Sequence, residues 1–273
     1  MFLSSKIIVP LDNQIDIWLN DSVSIYNAAL YILRQSYFDA KNKHIKPVFP
    51  TKKELYNTIS HSDVWKNSTM DAPSKRNSAM RAYDNMSNFY KAVKCYNKNK
   101  SGFNGKPKFP NYKDHDKDGL LEFYSSRLRK KDEKNHRFAL PKYMNYVVKV
   151  FDKIDVSKIK EVLIKRYYGK LAIYVVYEVQ PLNLNLDKTK CIGIDLGVDN
   201  LAAISGNEHV CKSWLIKGGA IKSINQYYNK KMAKLQSGTD DKVTKRMLRL
   251  LAKRDCKIDY EFNCISNKII QLC

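Results

Sequence analysis

The sequence predicts an α+β chain of more than one domain. Three observations carry that expectation. Apolar residues recur at helical spacing through the first third of the chain, a run near the middle alternates strictly, and a strand-rich stretch after residue 190 gives way to two long helical patterns. At 273 residues there is room for roughly two buried cores. The 44% apolar and 11% aromatic content belongs to a folded chain and excludes a disordered one.

Ile7 to Val9 read as a short strand ended by Pro10, after which Asp12 is placed to cap a helix with Ile15, Leu19, Val23, Tyr26, Leu30 and Leu33 on its core face. A second helical stretch runs from Lys52 to about Trp65, and a third opens at Asp71 with Pro73 in its first turn. Met80, Tyr83, Met86, Tyr90 and Val93 then recur at helical spacing, and such a stripe reads as core before it reads as a ligand box.

Residues 97–118 break this pattern. Gly102, Gly105, Pro107 and Pro110 forbid regular structure, while Lys98, Lys100, Lys106, Lys108 and Lys113 alternate with Phe103, Phe109 and Tyr112. Two readings stand for this boundary loop. Its lysines and aromatics hold a phosphate backbone and stack bases, or it is a solvated linker that tucks its aromatics into a nearby core.

Beyond the loop, "IKEVLIKRYYGKLAIYVVYEV" predicts a β-hairpin turning at Gly169, with Leu171, Ile173, Val175, Tyr177 and Val179 alternating against Ala172, Tyr174, Val176 and Glu178. Pro181 and "NLNLD" form a linker. A three-stranded meander is expected from Cys191 to Ile216, its second hairpin closed by Gly206 and Asn207 as a two-residue turn. Two helices follow. The first spans about Gly219 to Gln236 with Ile221, Ile224, Tyr228 and Leu235 inward. The second runs from about Asp241 to the end with Val243, Met247, Leu250, Ile258, Phe262, Ile265 and Ile269 on one side. Lys242, Arg246, Arg249, Lys253 and Lys257 line the adjacent side, either a phosphate-facing stripe or an ordinary solvated face.

The balance of 49 basic against 27 acidic residues, a net charge of +22, points to a polyanionic partner. Lysine bias accounts for the choice of Lys over Arg but not for the shortage of Asp and Glu, so nucleic acid leads and an anionic membrane surface comes second. Cys95, Cys191, Cys211, Cys256, Cys264 and Cys273 include no C-x-x-C pair, so neither a zinc ribbon nor a disulfide framework is written here. No secretory leader and no run near the roughly 18 apolar residues of a membrane span is present, so a cytoplasmic, non-membrane protein is expected.

"KCIGIDLGVDNLAAIS", Lys190 to Ser205, places Asp195 inside an apolar strand. A carboxylate in a buried strand is costly unless it is paired or binds a metal. Gly197 directly after it opens room for a ligand at the strand end. The bland reading is an Asp that caps a turn at a strand terminus. A "GIDLG" strand also occurs in actin-like and Hsp70-like ATPases, but Val198 and Asp199 stand where hydroxyl residues would meet phosphate, and too little chain follows for the second half of the clamp. An RNase H-like nuclease, whose first-strand Asp holds divalent metal, suits the meander and the charge better.

At this point the chain resembles the transposon-encoded TnpB (OrfB) proteins, relatives of the type V CRISPR effectors. "GIDLGVDNLAAIS" is similar to their first RuvC motif, and the likeness continues through "IKGGAIKSINQYYNKKMAKLQS" to "KRMLRLLAKRDCKIDYEFNCISNKII". Upstream, "VPLDNQ", "IYNAAL" and "GKPKFPNYK" resemble family signatures, so the likeness covers nearly the whole chain. The resemblance implies an RNA-guided DNA endonuclease with a guide-type RNA and DNA as partners and magnesium as cofactor. It implies an oligonucleotide-binding-like β-barrel wedge domain from residues 1–11 and 97–185, interrupted by a helical recognition lobe at 12–96. An RNase H-like (RuvC) α/β domain would follow at 186–273.

In that frame Asp195 matches the first catalytic, metal-binding carboxylate. The family's later Glu and Asp, and its zinc ribbon, have no counterpart here. Asp240, Asp255, Asp259 and Glu261 lie in helical or turn patterns and do not replace them. One carboxylate does not hold two metal ions. A C-terminally truncated member with an incomplete RuvC domain is therefore expected, self-associating through the apolar surface this leaves. Two other readings stay open: a cleavage-incompetent, repressor-like binder acting by occupancy, and a generic RNA-binding protein.

Overall fold

The computed structural model describes residues 1–273 except 45–47, 142–143, 145, 182–184, 186, 208–209, 211–212, 241–242 and 273. It is a mixed α and β chain with antiparallel sheets, as the periodicities predict, divided into two compact units, Met1–Gln180 and Pro181–Cys273. Among the described residues no helix is long and apolar enough to cross a membrane.

In the first unit, β1 (Phe2–Pro10) is longer than the three residues its apolar pattern suggests. It lies antiparallel along the whole of β7 (Lys170–Glu178), from Phe2 opposite Glu178 to Pro10 opposite Lys170, so a long partner extends the strand beyond its own signal. α1 (Asn13–Asn42) starts where expected, because Asp12 Oδ1 accepts the Ile15 N–H at 2.9 Å. All six predicted core positions of α1 are buried, and Trp18, Ile25 and Ala29 join them.

The single helix expected from Lys52 to Trp65 is instead two: α2 (Lys52–Ser60) and α3 (Asp63–Asn67). Ser62 divides them. Its hydroxyl donates to the Ile59 carbonyl at 2.7 Å, closing α2, and accepts the Trp65 N–H, opening α3. α2 itself begins with a reciprocal Thr51 and Glu54 capping box. α4 (Ala72–Lys98) follows, and its deepest stripe is small: Ser74, Ser78, Ala79 and Ala82, then Met86. That lets α4 pack closely on α1, while Met80, Tyr83 and Tyr90 flank the core.

The sheets of this unit are β1-β7-β6-β2, with β2 (Leu120–Tyr124) and β6 (Ile159–Tyr167), and β3-β4-β5, with β3 (Arg129–Asp132), β4 (Arg137–Ala139) and β5 (Val147–Lys149). The β6–β7 hairpin turns through Tyr168 (φ 49°) and Gly169 (φ 75°), both left-handed as a two-residue primed turn requires. Leu121, Phe123, Val162, Ile164, Ile173 and Val175 share one continuous core with α1, α2 and α4. Of the loop's three aromatics only Phe109 packs against the core, while Phe103 and Tyr112 stay exposed and make surface contacts. Phe109 stacks on Phe89 at 4.4 Å, Phe103 meets Tyr96 edge-on at 5.7 Å, and the Arg34 guanidinium covers Tyr112 at 4.7 Å.

In the second unit, β8 (Ile192–Leu196), β9 (Asn200–Gly206) and β10 (Ser213–Lys217) form the expected antiparallel meander in the order β10-β9-β8. The Gly206–Asn207 turn is corrected. Gly206 pairs with Ile192, the Asn207 N–H donates to the Cys191 carbonyl at 3.0 Å, and β10 begins only at Ser213. Asn207 therefore extends the ladder, its amide donating to Thr189 O at 2.7 Å, and the connection is longer than two residues. α5 (Gly219–Gln236) and α6 (Lys245–Leu272) pack on one another. The expected start of α6 near Asp241 falls outside the described residues. Among the described residues here, the buried apolar side chains are Ala202, Ile204, Ile221, Tyr228 and Met247.

Candidate functional site

Asp195 sits on β8 opposite Ala203, and Gly193 sits opposite Ser205. Because side chains alternate across a strand, Gly193, Asp195, Ala203, Ser205, Ser213 and Leu215 share one face of the sheet. These residues line an open hollow of about 690 Å³. The expectation that Asp195 is buried is corrected: it is exposed, and so are Ile194 at 45% and Leu196 at 77%. The physical reason is position. β8 is an edge strand, and the apolar run that reads as burial is paired on one side only.

Gly197 also has a different role from the one expected. A Cβ there would lie 2.8 Å from the Asn200 carbonyl oxygen, so glycine is required for the chain to reverse tightly into β9. The same turn is anchored to α5. The Gly218 N–H donates to the Asp199 carbonyl at 2.8 Å, and the Asp199 carboxylate pairs with the Lys222 ammonium. Asp199 thus ties a turn to a helix start, whereas Asp195, two pleats away, forms no hydrogen bond or ion pair among the described residues.

An exposed, unpaired carboxylate on a face of small residues is open to a divalent cation. A metal centre needs more than that. Among the described residues no group of three or more His, Cys, Asp or Glu side chains comes together. Asp195 alone does not fit a complete divalent-metal site. The described cysteines Cys95, Cys191, Cys256 and Cys264 are free, and Cys211 and Cys273 lie outside the described residues.

The basic residues are organised more tightly than one stripe. α5 and α6 enclose a groove of about 660 Å³ lined by Lys231, Lys234, Arg246, Arg249 and Lys253 with Leu235 and Leu250, and among the described residues no acidic side chain lines it. Arg246, Arg249 and Lys253 are expected from the α6 pattern. Lys231 and Lys234 are new, and their three-residue spacing on α5 is the signal that places them on one helix face. Lys257 lies further along α6, its ammonium 5.9 Å from the Tyr228 ring, and Lys242 lies outside the described residues. The field is visible in Tyr227. A hydrogen bond with Lys231, then the nearby charges of Lys231, Lys257 and Lys253, hold its phenol below its ordinary range.

In the first unit, Lys98, Lys100, Lys106 and Lys108 are exposed along the loop, while Lys113 is only partly exposed. The Lys113 ammonium lies 4.4 Å from the Tyr26 ring centre, and burial with the charges of Arg81 and Lys165 pushes its pKa down to about 8. It is a cation held in a wall rather than one extended into water.

Residues 174–273 match the model of the OrfB_IS605 family, described as a probable transposase. No curated protein matches the chain. Among solved structures it is similar to a CRISPR-Cas12f ternary complex, at 12% identity and a TM-score of 0.38, over 94% of this chain and 58% of that one. It is also similar to a Cas12f1–sgRNA–target DNA complex, at 11% identity and a TM-score of 0.48, over 95% of this chain and 61% of that one. The chain thus spans less than two thirds of the length of either. Residues 174–273, which hold the Asp195 strand and both basic helices, are thus the part of the chain that matches the OrfB_IS605 model of probable transposases, in keeping with the TnpB (OrfB) resemblance of its sequence.

Proposed function

We propose that this protein binds nucleic acid as a member of a family of RNA-guided DNA nucleases, its α5–α6 groove gripping successive phosphates. The observation that carries this reading is the groove itself, where five basic side chains from two helices converge with no carboxylate among the described lining residues. Like charges gathered this closely repel each other at neutral pH, and the arrangement becomes favourable when a polyanion neutralises it and releases its counterions. Guide-type RNA and target DNA are the partners this reading assigns, with Lys98, Lys100, Lys106 and Lys108 adding phosphate contacts from the first unit. Residues 1–11 and 97–185 then serve as the barrel-like wedge domain and residues 12–96 as the recognition lobe. The RuvC-like portion begins near residue 186.

Asp195 is the family's first catalytic carboxylate in this reading and one ligand to a divalent ion, magnesium by the family's precedent. Its open face supports access by a phosphodiester.

The decisive measurement is the salt dependence of affinity for a structured RNA and for duplex DNA. Each lost phosphate contact removes about 0.9 from the slope of log affinity against log salt for a duplex, so Arg246→Gln with Arg249→Gln should flatten it by about two. An unchanged slope would overturn the groove as the interface. In a magnesium-dependent cleavage assay with RNA present, the chain should bind without strand scission, and scission that Asp195→Ala abolishes would mean that further ligands complete the centre around Asp195. Scission that survives the substitution would remove Asp195 from the centre.

A further inference from the structure

A second cavity, of about 460 Å³, opens in the first unit where α1, α4 and the lysine loop meet. Its walls include Tyr26, Asn85, Asn88, Phe89, Lys108 and Lys113. Phe89 already stacks on Phe109 and is held rigid as an aromatic wall. The Asn85 amide donates to the Tyr26 hydroxyl at 2.8 Å, which fixes that amide and leaves its carbonyl oxygen available. Asn88 is exposed. Asn27 clamps the backbone of Lys113 in both directions, donating to its carbonyl at 2.9 Å and accepting its N–H at 2.8 Å, so the loop does not drift.

The charge in this cavity is unbalanced. Lys113 is partly buried against Tyr26 and forms no ion pair among the described residues. The charged groups acting on it are Arg81 from α4, Lys165 from β6 and Asp118 from its own loop, two cations against one carboxylate. Lys108 adds a further positive charge at the rim. A partly desolvated cation surrounded by more positive than negative charge is costly to maintain, and an oxyanion bound beside it offsets the cost. The remaining walls suit what is attached to a nucleic-acid phosphate: amides that read a base edge and an aromatic surface that excludes water from its face. The cavity is too small for a duplex.

We propose that this cavity is a single-nucleotide pocket. It takes one unpaired nucleotide of a bound strand, with its phosphate on Lys113 and Lys108 and its base edge on Asn85 and Asn88. This rests on the nucleic-acid-binding reading above but concerns a different unit of the chain and a different specificity. The α5–α6 groove tracks a backbone without regard to base or pairing, whereas this pocket discriminates unpaired from paired nucleotides.

The test measures binding of the full chain to a short labelled single strand, in RNA and DNA forms, and to a duplex of the same length. Asn88→Ala, at an exposed position, should weaken single-strand binding about tenfold and change duplex binding by less than about twofold. Lys113→Arg should keep neutral-pH affinity. The wild-type chain should lose single-strand affinity as pH rises from 7 to 9.5, as Lys113 gives up its proton near pH 8, while Lys113→Arg stays flat. Preference for the RNA or the DNA strand identifies the source of the nucleotide. Wild-type chain that binds neither strand nor duplex overturns the function proposed above. Normal binding with Asn88→Ala losing nothing, or losing equally for strand and duplex, overturns the pocket alone.

Discussion

Arg166 on β6 donates from Nε to Asp16 Oδ1 at 2.5 Å and from Nη2 to both the Asp16 carbonyl at 2.9 Å and Asn20 Oδ1 at 3.0 Å, joining the sheet to α1 across 150 residues of sequence. Its side chain is 16% exposed and its guanidinium also reaches the His115 carbonyl, so helix, sheet and loop converge on one fork of donors. Removing it strands a partly buried carboxylate and several carbonyls. Arg166→Ala should therefore cost the first unit about 2–4 kcal/mol in chemical denaturation. Arg166→Lys should recover little, because an ammonium cannot span the fork. Gly119 lets this happen: a Cβ there would sit 2.8 Å from Leu19 Cβ and 3.1 Å from an Arg166 nitrogen. Gly119→Ala should destabilise the same transition by about 1–3 kcal/mol.

Glu122 and Glu161 present a proton-linked feature on the outer face of the same sheet. Their carboxyls hydrogen-bond one another, and burial, then this bond and the Glu122 charge, push the Glu161 pKa from 4.5 up to about 7. Tyr124 completes the group, donating to Glu122 Oε1 at 2.8 Å, and that bond heads the causes that push its phenol up to about 12. Below pH 4.5 both folded and unfolded chains hold the Glu161 proton, and the favourable arrangement is fully present. Between pH 4.5 and about 7 the unfolded chain releases that proton first, so stability falls across this window and stays low above it. Glu161→Gln should flatten this slope and raise the melting temperature at pH 8. Discounted for solvent exposure the gain is about 1 kcal/mol, or about 2–4 °C. No difference between pH 4 and pH 8 would mean the two carboxyls do not share a proton.

Local patterns in the sequence reveal much of the first unit, because local chemistry decides its boundaries. Asp12 caps α1 by its own side chain, and the spacing from Ile15 to Leu33 is the spacing of the buried face. Ser62 misleads, since a hydroxyl that closes one helix and opens the next looks in sequence like any exposed helical serine. In the second unit, "IGIDL" has the composition of a buried strand, but composition does not say whether a neighbour covers it, and Ile194 and Leu196 are exposed on an edge. Gly206–Asn207 has the residues of a tight turn and is used for pairing. The basic stripe of α6 is legible by its period, whereas Lys231 and Lys234 join it only when α5 folds back alongside. The contact between Tyr26 and Asn85, 59 residues apart in sequence, leaves no local mark.

The start of α5 gives a sharp stability test for the second unit. A Cβ on Gly218 would fall 2.6 Å from the Val198 carbonyl oxygen and 3.0 Å from that of Asp199, both backbone atoms that cannot turn aside. Gly218→Ala should therefore pull the β8–β9 turn away from α5, break the Gly218 N–H bond to Asp199, and cost about 1–3 kcal/mol. Hydrogen exchange at Gly218 and Lys222 should report it, rising in the variant with the first unit's amides unchanged.

Asp195 gives the opposite expectation. Had its carboxylate been buried and paired, removing it would change stability strongly, by about 3–5 kcal/mol for a broken buried pair. It is exposed, has no partner among the described residues, and stands among Gly193, Ala203 and Ser205, so Asp195→Ala should move the unfolding midpoint by no more than about 0.5 kcal/mol. Thermal unfolding of the two proteins, with and without magnesium, separates structure from function at this position. Equal midpoints without metal, together with any magnesium-dependent rise confined to the wild type, are what a carboxylate free to bind a cation produces. A large loss of stability without metal would mean that Asp195 supports the fold instead.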